Sequence, residues 1–158
     1  MGDRSEVGKG LTVRAGRPGD AQFVVALGAV AFARFGEYAP IMRGFLESSD
    51  VTTWIAERAG EPVGFALADA PAAYAGLADL VAIAVDARHR RAGVARALLS
   101  RVIAACEERE GVSLLILTVA DDNHAAIALF RSFEFEMVPG LLGRYAGGQR
   151  SRRMARPV

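Results

Sequence analysis

The chain has 158 residues, 52% of them hydrophobic and 23% charged, with a net charge of +1. That length fits one domain with a real core, the composition excludes an intrinsically disordered chain, and the near-zero charge offers no bulk attraction to a polyanion. The single cysteine, Cys106, excludes an intrachain disulfide and suits a reducing cytoplasm, and no apolar run reaches the roughly 18 residues that span a bilayer.

Residues 1–10 are polar, contain glycine and lack the apolar stretch of a signal peptide, so they are expected to form a flexible leader ahead of a single domain over residues 11–158. Residues 11–14 alternate as a short strand. Arg17-Pro18-Gly19-Asp20 is a turn whose aspartate is placed to cap a helix over residues 21–35, and Gly36 ends that helix. A shorter helix is expected over residues 40–47. Residues 52–57 and 62–68 read as a hairpin around Ala59-Gly60-Glu61.

Leu77–Val85 is the most informative strand. Alternation puts Val81, Ile83 and Val85 on one face and Leu80, Ala82 and Ala84 on the other; both are apolar, as in a central strand covered on two sides. A helix follows over residues 93–110, stopped by Gly111, with Val94, Ala97, Leu98, Val102 and Ala105 on one stripe. Cys106 lies within it as a small buried hydrophobe. A strand over residues 112–119 and a helix over 124–133, capped from Asp121-Asp122-Asn123, come next. Residues 135–138 and 150–155 close the sheet, the arginines at 150, 152, 153 and 156 forming a solvated face or a tail.

The junction between the central strand and its helix carries the strongest chemical signal. It reads Val85-Asp86-Ala87-Arg88-His89-Arg90-Arg91-Ala92-Gly93-Val94-Ala95. The start of a helix has free N–H groups and partial positive charge, so a loop that gathers those groups is an anion cradle. Gly93 and Ala95 keep the cradle open, and Arg90 and Arg91 add charge. The alternative is an ordinary strand-to-helix turn with solvated arginines. The Gly-x-x-x-x-Gly-Lys-Ser/Thr loop and the Gly-x-Gly-x-x-Gly dinucleotide fingerprint are both absent.

Three segments together resemble the GNAT family of N-acetyltransferases. Arg90 to Ala95 fits the family's coenzyme A pattern Arg/Gln-x-x-Gly-x-Gly/Ala, LADLVAIAVDARH resembles its fourth strand, and NHAAIALFRSFEF resembles its N-x-x-A-I-x-L-Y-x-x-x-G-F segment. The resemblance covers residues 11–154 and is specific over 77–135. It implies an α/β fold: a mixed, mostly antiparallel central sheet of six to seven strands, flanked by four helices, with the fourth and fifth strands splayed apart. It also implies acetyl-CoA as co-substrate. The amides of Arg91, Ala92, Gly93, Val94 and Ala95, with Arg90 beside them, would hold its diphosphate. The backbone of Ile83, Ala84 and Val85 would line its pantetheine arm and polarise the thioester carbonyl. Asn123 would touch the cofactor, cap its helix, or do both.

An amine must lose a proton before it attacks, and Asp79 occupies the place where some family members carry a glutamate base. The alternative is an exposed strand-entry carboxylate; a bulge in that strand would change its direction. Glu37 and Glu57 are weaker carboxylate candidates, and Phe35, Tyr38 and Met42 are candidates to line the acceptor pocket. Phe130, in the cofactor-lining segment, stands where the family usually has a tyrosine that protonates the departing thiolate, and Glu134 stands where it has glycine. Tyr145, in a segment resembling the closing hairpin of relatives that acetylate peptide N-termini, is the replacement candidate, against a tyrosine packed on the sheet edge. No metal site is expected. The function implied is a cytoplasmic acetyl-CoA-dependent N-acetyltransferase acting by direct attack of a primary amine: a peptide N-terminus, a lysine or a small amine. The alternative is a non-catalytic acyl-CoA-binding or sensing module of the same fold. Partners would be that small-molecule or peptide amine acceptor and, in a homodimer, a second copy; nucleic acid and membrane are not expected.

Overall fold

A computed structural model describes residues 4–6, 8, 10–140 and 142–158. Its nine strands form one sheet in the order β1-β2-β3-β4-β5-β6-β9-β7, with β8 also on β9. The strands are β1 (Arg4–Glu6), β2 (Leu11–Ala15), β3 (Val51–Arg58), β4 (Glu61–Asp69), β5 (Leu77–Val85), β6 (Leu114–Ala120), β7 (Glu136–Met137), β8 (Gly143–Arg144) and β9 (Arg150–Pro157). The helices are α1 (Ala21–Ala31), α2 (Ala39–Glu47), α3 (Val94–Glu108) and α4 (His124–Ser132). Every pairing is antiparallel except β5 with β6, which α3 joins as the crossover that parallel strands require.

The sheet exceeds the expected six to seven strands by short pieces. Arg4–Glu6, expected within a flexible leader, pairs with β2, Ser5 opposite Val13; residues 1–3, 7 and 9 of that leader lie outside the described residues. β8 pairs with Ser151 and Arg150. The four C-terminal arginines belong to β9 rather than to a tail. Arg150 and Arg152 pair with Asp121, and Arg156 pairs with Glu107.

Local chemistry explains the element ends. Ala59 and Gly60 both take positive φ, 52° and 80°, as a tight hairpin between β3 and β4 demands. α1 stops at Ala31, short of residue 35. A 3₁₀ turn, Ala33–Phe35, follows, and Gly36 at φ 142° redirects the chain. Asp20 precedes α1 but makes no cap bond. Its carboxylate instead accepts from the Arg14 guanidinium at 2.8 and 2.9 Å and from the Arg17 N–H at 2.6 Å.

Hydrophobic clusters cover both sheet faces. Leu98, Leu99 and Val102 of α3 pack on Leu115, Leu117 and Met154, while Val24 of α1 and Met42 of α2 pack on Ile55, Phe65 and Leu67. Met42 is fully buried in this second cluster, so it is core and not pocket lining.

One irregularity resets β5. Leu67 pairs with Ala82 but Ala68 pairs with Leu80, leaving Val81 as an extra residue. Below this bulge Ala78 and Leu80 face α3; above it Ile83 and Val85 do, while Ala82 and Ala84 face α1 and α2. The expected grouping of Val81 with Ile83 and Val85, and of Leu80 with Ala82 and Ala84, is therefore corrected. A bulge shifts side-chain alternation by one residue. Asp79 consequently lies on the α1–α2 side of the sheet, away from the face of Ile83.

Candidate active site

The loop between β5 and α3 opens with a 3₁₀ turn, Ala87–His89, capped by Asp86, whose carboxylate accepts from the Arg88 N–H at 2.9 Å. The same carboxylate pairs with the Arg88 guanidinium, which holds Asp86 below the usual carboxylate range. Arg90 is extended, Arg91 takes φ 60°, and Gly93 takes φ 79° as the N-cap of α3. Residues in the left-handed region turn neighbouring N–H groups to one side, forming a concave anion nest. The first amides of α3 are free as well, because a helix start has no internal acceptor for them. A Cβ built on Gly93 meets nothing within 4 Å, so the concavity is open. Arg90 and Arg91 are exposed and make no ion pair among the described residues. Val94 is buried and anchors the first turn of α3. Gly64 lets that helix lie close, since a Cβ there would sit 2.9 Å from the Ala84 carbonyl and 3.1 Å from Val94.

Next to the loop the sheet parts. β5 pairs with β6 only from Leu77 to Leu80, matched to Leu114–Leu117. Beyond Leu80, where the Val81 bulge bends β5, the two strands separate around a cavity of about 120 Å³. Val81, Ala82 and Ile83 line it from β5, and Thr118, Val119 and Ala120 from β6. Asn123, Ala126 and Phe130 close it from the α4 side. Phe32, Phe35, Tyr38 and Tyr145 roof it. A wider hollow of about 740 Å³ lies between α1 and α2, but its lining comes from those helices alone and includes nothing from the parted strands.

The sequence profile of the Acetyltransferase (GNAT) family matches residues 23–135. The chain belongs to the GNAT acetyltransferase family. It carries the family's acetyl-CoA-dependent acetyltransferase domain, and acetyl-CoA is the family's co-substrate. An N-alpha-acetyltransferase of Saccharolobus solfataricus is 35% identical over 79 residues, which is 50% of this chain and 47% of that protein; the chain thus matches about half the length of that relative. An N-alpha-acetyltransferase of Sulfurisphaera tokodaii is 27% identical over 160 residues, covering 96% of this chain and 95% of the relative. The crystal structure of the ribosomal-protein-S18-alanine N-acetyltransferase from Escherichia coli superposes with a TM-score of 0.80 at 26% identity, over 94% of both chains.

Within this GNAT domain the side chains named from the sequence fall into three groups. Gly93 and its neighbours form the loop. Ile83, Asn123, Phe130 and Tyr145 meet at the parted strands, while Ala84 and Val85 continue β5 beyond it. Asn123 caps α4, its side-chain oxygen accepting from the Ala126 N–H at 3.3 Å, and it also lines the cavity. Phe130 is buried edge-on to Phe135, 5.8 Å between ring centres. Asp79 does not line the cavity. It sits just below it, one residue before the strands part, and burial pushes its carboxyl up to about 6. Arg153 opposes that shift and Asp69 adds to it.

Tyr145 is half-buried, its ring 4.8 Å from that of Phe35, and burial with Tyr38 nearby pushes its phenol up to about 12. Burial also raises Tyr38. Glu57 is no surface charge: it is buried and accepts from Arg14 Nε at 2.6 Å. Glu37 is exposed. Cys106 is buried and its thiol pushed up by burial. Among the described residues no cluster of metal-binding side chains occurs, and no helix is long and apolar enough to cross a membrane.

Sequence reasoning missed Arg34 and Asp122. Their bidentate pair, 3.1 Å at both nitrogens, ties the turn after α1 to the β6–α4 turn. Gly147 N–H donates to the Phe35 carbonyl at 3.1 Å and Gln149 Nε2 to the Arg34 carbonyl at 2.9 Å. These contacts join residues 88 to 115 positions apart, so no local pattern announces them.

Proposed function

We propose that the chain transfers the acetyl group of acetyl-CoA to a primary amine, with the free N-terminus of a peptide as the preferred acceptor. One observation carries this reading: an open positive-φ loop at the start of α3 adjoins the one parallel strand pair among the described residues, at the point where that pair separates. The residues present fit the co-substrate. The amides of Arg91 to Ala95 suit a diphosphate, with Arg90 and Arg91 adding charge, and the narrow slot between β5 and β6 suits an extended arm. Bound there, the co-substrate supplies an acyl thioester.

This chain's residues then have separable tasks. Asp79 takes the proton from the incoming ammonium, directly or through water. Backbone N–H groups of β5, freed by the absence of a β6 partner beyond Leu80, donate to the carbonyl oxygen as charge develops on it. The amine nitrogen bonds to the acyl carbon, the carbon–sulfur bond breaks, and the sulfur leaves with the electron pair. Tyr145 supplies a proton to that sulfur, because Phe130 has no hydroxyl to give; the second proton of the attacking nitrogen passes through water to the phenolate and restores it, and Asp79 returns its own proton to solvent. A phenol pushed up to about 12 keeps its proton at neutral pH, which excludes Tyr145 as the base.

Magnitudes favour the α-amine. Moving a proton from a peptide N-terminus, near pKa ~8, to a carboxylate near 6 spans about 2 pH units, or about 2.7 kcal/mol. From a lysine near ~10.4 it spans about 4.4 units, or about 6 kcal/mol. Two relatives named N-alpha-acetyltransferases and the likeness to an S18-alanine N-acetyltransferase support the same acceptor class.

Thiol release from acetyl-CoA, followed with a free-N-terminus peptide, the same peptide N-blocked with an internal lysine, and spermidine, tests the reading. The free N-terminus is expected to give the highest kcat/KM. Slow release independent of any amine, with tight coenzyme binding, would instead establish the non-catalytic module that the hydroxyl-less Phe130 favours.

A further inference from the structure

We infer that Asp69 and Arg153 are opposed positioning residues that set the charge on Asp79. The inference rests on reading Asp79 as the base. The β4–β5 register puts Asp69 directly opposite Asp79 on the α1–α2 face, because Ala68 and Leu80, one step along, both face α3. Side chains directly opposite in an antiparallel pair have Cβ atoms about 5 Å apart. A carboxylate held so close disfavours the charged form of Asp79.

On the other side, Asp79 is level with Ile116 of β6, and Ile116 with Ala155 of β9. Arg153 lies two residues along from Ala155, on the same face, opposite Thr118, which lines the cavity. With strands about 4.8 Å apart, its Cα lies about 12 Å from that of Asp79, a gap an arginine and an aspartate close between them. Ile116 and Ala155, between them on this face, carry no charge. From β4 the charged neighbour is Asp69, β6 contributes none, and β9 contributes Arg153; these two are the charges that act on Asp79. The nearby phenols of Tyr38 and Tyr145 are both raised and stay neutral.

Two buried polar atoms here have no partner: Asp69 Oδ1 and Arg153 Nε. Buried polar atoms are nearly always satisfied. Here they flank a carboxylate that has no hydrogen bond or ion pair of its own among the described residues. The opposition has a consequence for catalysis. Burial and Asp69 both favour the protonated, inactive form of Asp79. Arg153 is the charge that opposes them, and it favours the ionised form.

The experiment is a ¹³C NMR titration of the Asp79 carboxyl in the full chain, assigned with Asp79→Asn, run beside kcat/KM against pH. Arg153→Gln is expected to move the titration up by about one pH unit, Asp69→Asn to move it down, and Arg153→Lys to leave it near its original position. The acid limb of the rate profile should follow, so that Arg153→Gln loses about threefold at pH 6.5 and recovers by pH 8.5. A merely structural role for Arg153 would lower the rate equally at every pH, and Arg153→Lys separates charge from folding. An Asp79 titration unmoved in Arg153→Gln and Asp69→Asn overturns the inference. A titration that moves while the rate profile stays put upholds the positioning pair and removes Asp79 as the base.

Discussion

The role proposed for Gly93 needs only the main chain: a left-handed φ at a helix start and no side chain in the way. Gly93→Asp puts a carboxylate in the nest. Because Asp tolerates a positive φ better than most residues, it should cost the fold only about 1 kcal/mol. Calorimetry is expected to show at least tenfold weaker acetyl-CoA binding with little change in Tm. The side of the sheet that Asp79 faces was not legible, because the Val81 bulge leaves no mark in a run of small apolar residues. Its carboxyl is raised from 3.8 to about 6. A raised acid binds its proton more tightly in the folded state, so its ionisation destabilises the fold as pH rises from about 4 through 6. Asp79→Asn should therefore remove the acid limb of the rate profile, lower kcat by about 10²–10⁴-fold, and yet raise stability at pH 8, by up to about 3 kcal/mol. Denaturant unfolding at pH 4 and pH 8 checks the sign, since the gain should vanish at pH 4. Tyr145→Phe is expected to cut kcat at least about tenfold at unchanged acetyl-CoA affinity, read from steady-state rates and calorimetry.

Long elements showed themselves through periodicity, and short ones did not. Three residues of β1 and two of β8 are too few to display alternation, and the pairings that make them strands lie on β2 and β9. The end of α1 was placed too late because the following 3₁₀ turn carries the same apolar spacing. Close packing of α3 on the sheet depends on Gly64, a contact no local pattern reveals. Gly64→Ala should push the first turn of α3 outward, destabilise by about 1–3 kcal/mol, and weaken acetyl-CoA binding through displacement of the loop. Elements β2, β3 and the turn before α1 are tied by the buried Arg14 and Glu57 and the half-buried Asp20. The Asp20 carboxyl is held below its ordinary value, chiefly by its bond to Arg14. Its contribution is thus complete above about pH 4 and lost as pH falls through the folded value. Asp20→Ala leaves Arg14 paired with Glu57 but removes two of its charge-assisted hydrogen bonds, and should cost about 1–3 kcal/mol in urea unfolding at pH 7.

For the molecule as a whole, family and layer order could be read in advance because the Gly93 loop and its flanking strand and helix lie within one contiguous stretch. Ligands of sheets with parallel strands bind beyond the strand ends where neighbours diverge, and β5 with β6 provides that place. The proposed acceptor side was less legible: Phe32, Phe35, Tyr38 and Tyr145 roof the cavity, and bonds across the fold hold Arg34 and Phe35 to Asp122, Gly147 and Gln149. The most direct test of the central claim is a backbone-amide NMR titration of the ¹⁵N-labelled chain with acetyl-CoA. The largest shifts are expected at Arg91, Ala92, Gly93, Val94 and Ala95, with a second set at residues 81–85 and 118–120. Unmoved amides there, with shifts gathered instead around Val25 and Leu46 in the groove between α1 and α2, would contradict it.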